Sequence, residues 1–424
     1  MHVVVLAEFA APSGGAEKVA LESARGLAEL GLAVSYLQGV PGPVDPLLDH
    51  PRIRRVELGL PDIWNRGAVV GAVSGVWDRE AAARVGAALA ALPRADIVHL
   101  HQWTRSLSPS VFPVLFAAGA PVLATLHDYF LACPNGVYYR FDRAEPCALR
   151  PMSAACIAAP CDSRSRLHKL VRVARTAALG RAIEGRPLHL VHVCEASRAR
   201  MGALFGGAAL HHRLDNPVRV RFEAPATPES GDAVVYLGRL TREKGADLVA
   251  EAARAAGLPA LFIGTGPLEA ELRAGGAELL GWQAPEDARA ILRARARALA
   301  APSRWYETGP LTVYEALAAG IPVVASERSG ASEKVRDGET GFVVAPEAES
   351  LARAFAQFRD DARVARLGRA AHARFWSAPA TIAAHAHAAA DLYGRILADC
   401  AAPIGCAVQH VCAEQTPRGV SAPF

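Results

Sequence analysis

The chain has 424 residues, 51% hydrophobic and 21% charged. These are ordinary globular proportions, with length for two domains of about 200 residues each. A formal net charge of +4 is small for this length and speaks against a nucleic-acid partner, so any basic function has to be local. The apolar run from Val114 to Leu126 is too short to cross a bilayer and is broken by Gly119 and Pro121.

The N-terminus, MHVVVLAEFA, has no basic leader, and VVVLAE (residues 3–8) reads as a buried strand. The expected compartment is the cytoplasm, where eight cysteines are thiols or metal ligands rather than disulfides. A helix follows from Gly15 to Leu30, then the strand LAVSYL. ADIVHLH (95–101), PVLATLHD (121–128) and LVHVC (190–194) continue the series of apolar strands separated by helices. Such runs imply a parallel sheet with both faces covered. The pattern restarts after a loop at 216–231 with the strand DAVVYLGRL (232–240). The helix ADLVAEAARAA, the strands ALFIGTG and AELLGW and the helix PEDARAILRAR come next. ALAAPS, a helix from Pro310 to Ala319 and IPVVAS complete a second α/β unit.

The fold class is therefore α/β, with two doubly wound domains facing one another and a site in the cleft between them. The expected division is 1–218, carrying a cysteine-containing insertion at about 129–185, and 219–378. A helix at 379–400 and a loose tail at 401–424 complete it.

Several stretches carry chemistry. Gly14 and Gly15 sit between the first strand and the first helix, where free amides favour an anion. His127 ends a strand at the expected cleft and is assigned to the reacting centre. His99 and His101 are read as structural, on the view that they point to opposite faces. Arg239 and Lys244 lie beyond the first strand of the second unit, in GRLTREKG, placed to hold a diphosphate. Gly264 and Gly266 form a Gly-rich turn in FIGTGP. Glu307 and Glu315 are eight positions apart, one in the turn before a helix and one within it. Between them Gly309, Pro310, Leu311 and Thr312 open that helix, with Pro310 read as its first residue. Carboxylate, helix amides, carboxylate matches sugar hydroxyls, phosphate, ribose.

Cys133, Cys147, Cys156 and Cys161 are spaced by fourteen, nine and five positions, without a C-x-x-C pair. Free thiols are the leading reading and a structural zinc the alternative. Cys400, Cys406 and Cys412 receive no role. Residues 164–181 alternate basic and apolar side chains, a pattern that suits an anionic membrane surface or a solvated helix face equally.

Taken together, these stretches resemble the retaining glycosyltransferases of family 4, with the two-domain GT-B architecture. Glu307 and Glu315 match the E-x7-E signature, and GRLTREKG, FIGTGP, LHDY, NPV (216–218) and Gly14-Gly15 match further motifs in the same order. The resemblance runs to about residue 397. It implies a nucleotide-diphosphate-sugar donor, no required cofactor, no catalytic metal and a sugar or lipid-linked hydroxyl acceptor at the inner face of a membrane. By resemblance, Glu307 takes donor-sugar hydroxyls, Glu315 the ribose, and Arg239 and Lys244 the diphosphate. One departure is Gly309-Pro310, where the family often has an aromatic and a glycine. It leaves the Leu311 and Thr312 amides to serve the ligand. A nucleotide-sugar epimerase of the same fold and an inactive nucleotide-sugar-binding protein are the rival readings.

Overall fold

The computed structural model describes residues 1–205 and 209–401. The tail expected at 401–424 lies outside the described residues beyond its first position, and Cys406 and Cys412 lie there with it.

Two parallel sheets organise the chain. The N-terminal sheet uses β1 (His2–Ala7), β2 (Ala33–Gln38), β3 (Ile53–Glu57), β4 (Ile97–Leu100) and β5 (Val122–Leu126). A short antiparallel pair, β6 (Tyr139–Arg140) and β7 (Glu145–Pro146), stands apart before β8 (Leu188–His192) and β9 (Ala209–Arg213) return to the sheet. Its order is β3-β2-β1-β4-β5-β8-β9. The C-terminal sheet comprises β10 (Ala233–Leu237), β11 (Ala260–Ile263), β12 (Glu278–Leu279), β13 (Ala296–Ala301), β14 (Val323–Ser326) and β15 (Gly341–Val344), in the order β12-β11-β10-β13-β14-β15. In each sheet the first strand lies inside and the order reverses beside it. The carboxyl ends of β1 and β4, and of β10 and β13, therefore frame the two walls of one cleft.

The apolar runs seen in the sequence are the central strands. Val3, Val4, Val5 and Leu6 are buried on both faces of β1, as are Val234 and Val235 of β10. The strands missing from the sequence reading are edges. β3 is IRRVE and mostly exposed, and β9 is ALHHR. An edge strand covered on one side needs no continuous apolar run, so periodicity does not reveal it.

The segment after β5 is built rather than loose. It holds the β6–β7 pair, a five-residue helix at Ala154–Ala158 and an 18-residue helix at Arg166–Ile183. The last helix, Ile382–Ala401, crosses back onto the N-terminal sheet, where Ala389, Leu392, Tyr393 and Ile396 join the core of β1 and of the Gly15–Glu29 helix. Among the described residues no helix is long and apolar enough to cross a membrane.

The crossing of the first and last helices depends on Gly26. A Cβ there would lie 2.9 Å from both the Ala386 Cβ and the Ile382 Cγ2. Gly26→Val should lower unfolding stability by about 1–3 kcal/mol through overpacking and free the C-terminal helix first. Denaturation midpoints together with limited proteolysis near residue 380 would check this.

Candidate active site between the two lobes

The cleft between the sheets has a volume of about 410 Å³. Its C-terminal wall begins with β13, whose end leads through Ser303 and Trp305 to Glu307 and then to the Leu311–Ala319 helix. Pro310 is the residue just before that helix, with φ −68°, and not its first turn. The difference is one residue and leaves its missing N–H equally harmless. Leu311 and Thr312 follow and line the cleft, and no side-chain cap covers the helix start.

Lys244 reaches into the same wall from the turn after β10. Its Nζ lies 2.5 Å from Glu307 Oε1. Ser303 donates its hydroxyl to Glu307 Oε2. Packing alone would push the Glu307 carboxyl up. The Lys244 ammonium and the hydrogen bonds from Lys244, Ser303 and Trp305 outweigh that and hold it below the ordinary carboxylate range. Glu315 lies one helical turn deeper, and Lys18 of the opposite lobe donates to its Oε1 at 2.6 Å.

The N-terminal wall contributes Gly14, Gly15, His127 and Asp128. A Cβ on Gly15 would meet nothing within 4 Å, so that backbone is open to a ligand. The Thr308 hydroxyl donates to the His127 carbonyl at 2.8 Å, a direct bond between lobes. The His127 ring stacks on His101, with Nε2 3.1 Å from His101 Nδ1. Desolvation, reinforced by His385, pushes the His127 imidazole down to about 3. Burial pushes the neighbouring Asp128 carboxyl up to about 6.

Several sequence expectations change. His99 and His101 do not face opposite ways. Residues two apart in a strand share a face, and their rings lie 4.4 Å apart. His99 is structural, bonded to Tyr393 and Thr125, whereas His101 belongs to the His127 site. Arg239 is exposed and lies outside the cleft lining, because the chain turns at Gly238 and the Tyr236 hydroxyl donates to the Arg239 carbonyl. Gly264 and Gly266 also stand behind the wall rather than in it. A Cβ on Gly264 would approach the Gly238 carbonyl oxygen to 2.0 Å, and one on Gly266 the Leu240 carbonyl oxygen to 2.4 Å. Their amides already donate to Gly281 and Glu269. These glycines let two strand ends pass closely. Gly309, by contrast, lines the cleft, and Asn216 donates to its carbonyl at 3.4 Å.

The four insertion cysteines are buried free thiols. Lys169 places its Nζ 3.1 Å from Cys161 Sγ and 3.8 Å from Cys156 Sγ. An amine therefore sits beside two of the four thiols. Among the described residues no group of three or more His, Cys, Asp or Glu could hold a metal ion.

The sequence reading also missed Lys18, Ser303, Thr308 and Gly330. Gly330 donates its amide to the Glu307 carbonyl, and a Cβ on it would run into the Thr308 carbonyl oxygen at 2.1 Å. Lys18, Thr308 and Gly330 act through partners distant in the chain, and Ser303 reaches Glu307 only through the turn between them, so no local pattern marks these residues.

Comparison with known proteins agrees with this geometry. A family model described as a glycosyl transferase 4-like domain matches residues 14–163, and one described as glycosyl transferases group 1 matches residues 219–374. The chain is a family-4-type glycosyltransferase. The glycosyltransferase is 28% identical, over 81% of its chain and 78% of the relative, to a D-inositol 3-phosphate glycosyltransferase of Mycolicibacterium paratuberculosis. Its fold is similar to that of a sucrose-phosphate synthase from Thermosynechococcus elongatus, with a TM-score of 0.69, 18% identity and coverage of 94% and 99% of the two chains. HepE of Anabaena, solved in complex with UDP-glucose, gives a TM-score of 0.64 at 18% identity, with 93% and 100% covered. The two-lobed fold is thus GT-B, and the activity is glycosyl transfer from a nucleotide sugar. The epimerase reading finds no support.

The buried histidines predict an acid-sensitive glycosyltransferase. Desolvation, then neighbouring histidine charge, lowers His99 and His127 to about 3, and desolvation lowers His385 to about 4. A folded-state value below the unfolded one contributes stability above the unfolded value and loses it as pH falls through the folded one. Urea midpoints should therefore drop from about pH 6.5 downward, partly offset by the raised carboxyls of Asp128 and Glu22, which gain stability as pH falls, and ahead of the loss expected from Glu307. A midpoint constant between pH 7 and 5 would contradict this.

Proposed function

We propose that the cleft binds a nucleotide-diphosphate sugar across Glu307, Lys244 and the Leu311–Thr312 amides and passes the sugar to a hydroxyl with retention of configuration. The observation that carries this reading is the charged Glu307–Lys244 pair beside uncapped helix amides, inside the interlobe cleft. In this reading residues 1–218 form the acceptor lobe and 219–378 the donor lobe, and the helix at 379–400 ties the second to the first.

Glu307 accepts hydrogen bonds from donor-sugar hydroxyls, and Glu315 from the ribose diol. Both carboxylates are paired with lysines in the ligand-free protein. Donor binding exchanges Lys18 on Glu315 for ribose, and turns Lys244 from Glu307 toward the diphosphate. As the bond from the anomeric carbon to oxygen breaks, negative charge develops on the leaving diphosphate. Lys244 and the helix amides are fixed before that charge appears, so stabilising it requires little reorganisation. Arg239 adds to this charge only if its side chain swings inward on donor binding. Gly14 and Gly15 present the amides of the opposite helix. His127 lies where acceptor and sugar meet, and the departing phosphate takes the acceptor's proton on the same face.

A uridine diphosphate sugar is the donor we favour, since HepE, whose fold is shared, was solved with UDP-glucose. We place the glycosyltransferase at the inner face of a membrane, acting on a sugar or lipid-linked acceptor. The basic segment supports this in a narrower form than its sequence suggests. Arg164, Arg166 and Arg181 are exposed beside Leu167 and Leu170, while Lys169 and Arg175 turn inward.

Lys244→Ala should reduce kcat by about 10²–10³, measured as nucleotide release from the preferred donor. Turnover within a few-fold of the parent would overturn the phosphate assignment. A thermal-shift panel of UDP, GDP and ADP sugars should single out one base, because only a ligand that prefers the folded state raises the midpoint.

A further inference from the structure

One buried carboxyl beside the cleft takes no part in the chemistry described above. Glu22 lies on the Gly15–Glu29 helix, is 1% exposed, and its Oε2 has no hydrogen-bond partner. A buried carboxyl oxygen left unpaired is uncommon and asks for a reason. The helix that carries it joins the two lobes, since Val19 of the same helix belongs to the core of the C-terminal lobe.

Glu22 stands four positions after Lys18, so the two side chains are neighbours on one face of the helix, a turn apart. Lys18 is the residue whose Nζ donates to Glu315 at 2.6 Å. The Lys18 side chain is 23% exposed and that of Glu315 9%, so the bridge closes over a nearly dry place. The flexible Lys18 stem thus serves two carboxyls, one from each lobe. It holds Glu315 and leaves Glu22 without a partner.

The surroundings of Glu22 explain which carboxyl is left. Desolvation pushes its carboxyl up to about 8, opposed by Lys18 and Arg219 and reinforced by Glu315 and Asp45. Arg219 lines a hollow beside the cleft together with Glu315, and Asp45 caps the short helix Pro46–Leu48. From the last helix, His385 bonds to Ser23, the neighbour of Glu22. Burial holds the His385 imidazole down to about 4, so it brings no charge near neutrality. One ammonium between two buried carboxyls keeps one of them ionised. While Lys18 holds Glu315, Glu22 carries a proton.

We propose that donor binding hands Lys18 from Glu315 to Glu22, and that Glu22 gives its proton to solvent as it receives the ammonium. The handover rests on the reading that Glu315 takes the ribose diol. In it the Glu22 O–H bond breaks, the electron pair stays on the carboxylate, and Lys18 keeps its three protons. Nothing is oxidised or reduced. Glu22 is a positioning residue. It touches neither sugar nor phosphate and acts through Lys18. Without it, ribose on Glu315 would leave a partly buried ammonium with no counter-charge, which is costly.

The probes are UDP-glucose, GDP-glucose and ADP-glucose, titrated calorimetrically into the whole protein in buffers of different ionisation enthalpy. A nucleotide-diphosphate sugar has no phosphate group that titrates near neutrality, so the protons counted come from the protein. Whichever donor binds should release close to one proton at pH 7 and well under half a proton at pH 8.5, where a group raised to about 8 is already mostly ionised. Its Kd should fall roughly five- to tenfold over the same interval. Glu22→Gln, with its fold verified by circular dichroism, should bind the same donor without that release and with a nearly flat pH profile. Lys18→Met should lose the release too, because no ammonium arrives to ionise Glu22. Adding Glu22→Gln to Lys18→Met should then change the proton count no further. A second measurement needs no donor. The carboxylic-acid infrared band that separates ligand-free wild type from Glu22→Gln at pH 7 should vanish in Glu315→Gln, where Lys18 has only Glu22 to hold. Donor binding with a proton count that neither Glu22→Gln nor Lys18→Met alters would sink the handover and leave the donor reading standing, as would an infrared band that persists in Glu315→Gln. Failure of all three nucleotide sugars to bind would overturn the donor reading and the handover with it.

Discussion

A carboxylate packed into a protein tends to lose its charge unless something holds it. Glu307 keeps its charge because the Lys244 ammonium stands 2.5 Å away and Ser303 supplies a second hydrogen bond. The rest of the site is arranged around that pair. The turn that carries Glu307 is held from behind by the Gly330 amide and from in front by the Thr308 bond to His127. The helix that follows starts at the same cleft without a side-chain cap. Removing either charge would leave the other buried and uncompensated, so the pair is as much a structural requirement as a chemical one.

The two interlobe contacts have a common logic. Lys18 on Glu315 and Thr308 on His127 each join one sheet to the other through a group that a substrate would also want. Both bonds span the cleft and hold its two walls together. The C-terminal helix stabilises this arrangement from the far side, by packing the end of the chain against the first helix near Gly26.

The insertion after β5 shows how one segment serves several ends. Cys156 and Cys161 lie by Lys169, Asn135 bonds to Tyr139 and Cys161, and Arg172 returns to the Asn135 carbonyl. That network places Gly136 and Val137 at the cleft and sets Phe130 against Arg175. A segment that looks irregular by its pattern is therefore held by its own side-chain hydrogen bonds.

What the sequence determined by itself was whatever depends on neighbours in the chain. Buried central strands need unbroken apolar runs, so β1, β4, β5, β10 and β13 were legible as strings of Val, Leu, Ile and Ala. Glu307 and Glu315 were legible because they stand eight positions apart across a helix start, and Lys244 because a strand end fixes its position. Edge strands carried no such signal. Tertiary structure alone decided which of the legible residues meet. It brought Lys244 to Glu307 over 63 positions and Lys18 to Glu315 over 297. It also sent Arg239 outward, put Gly264 and Gly266 behind the wall, and set Lys169 beside two of the insertion thiols. The physical reason is that a side chain's environment is set by elements packed from elsewhere in the chain, and local periodicity reports only which face is buried, not what is buried against it.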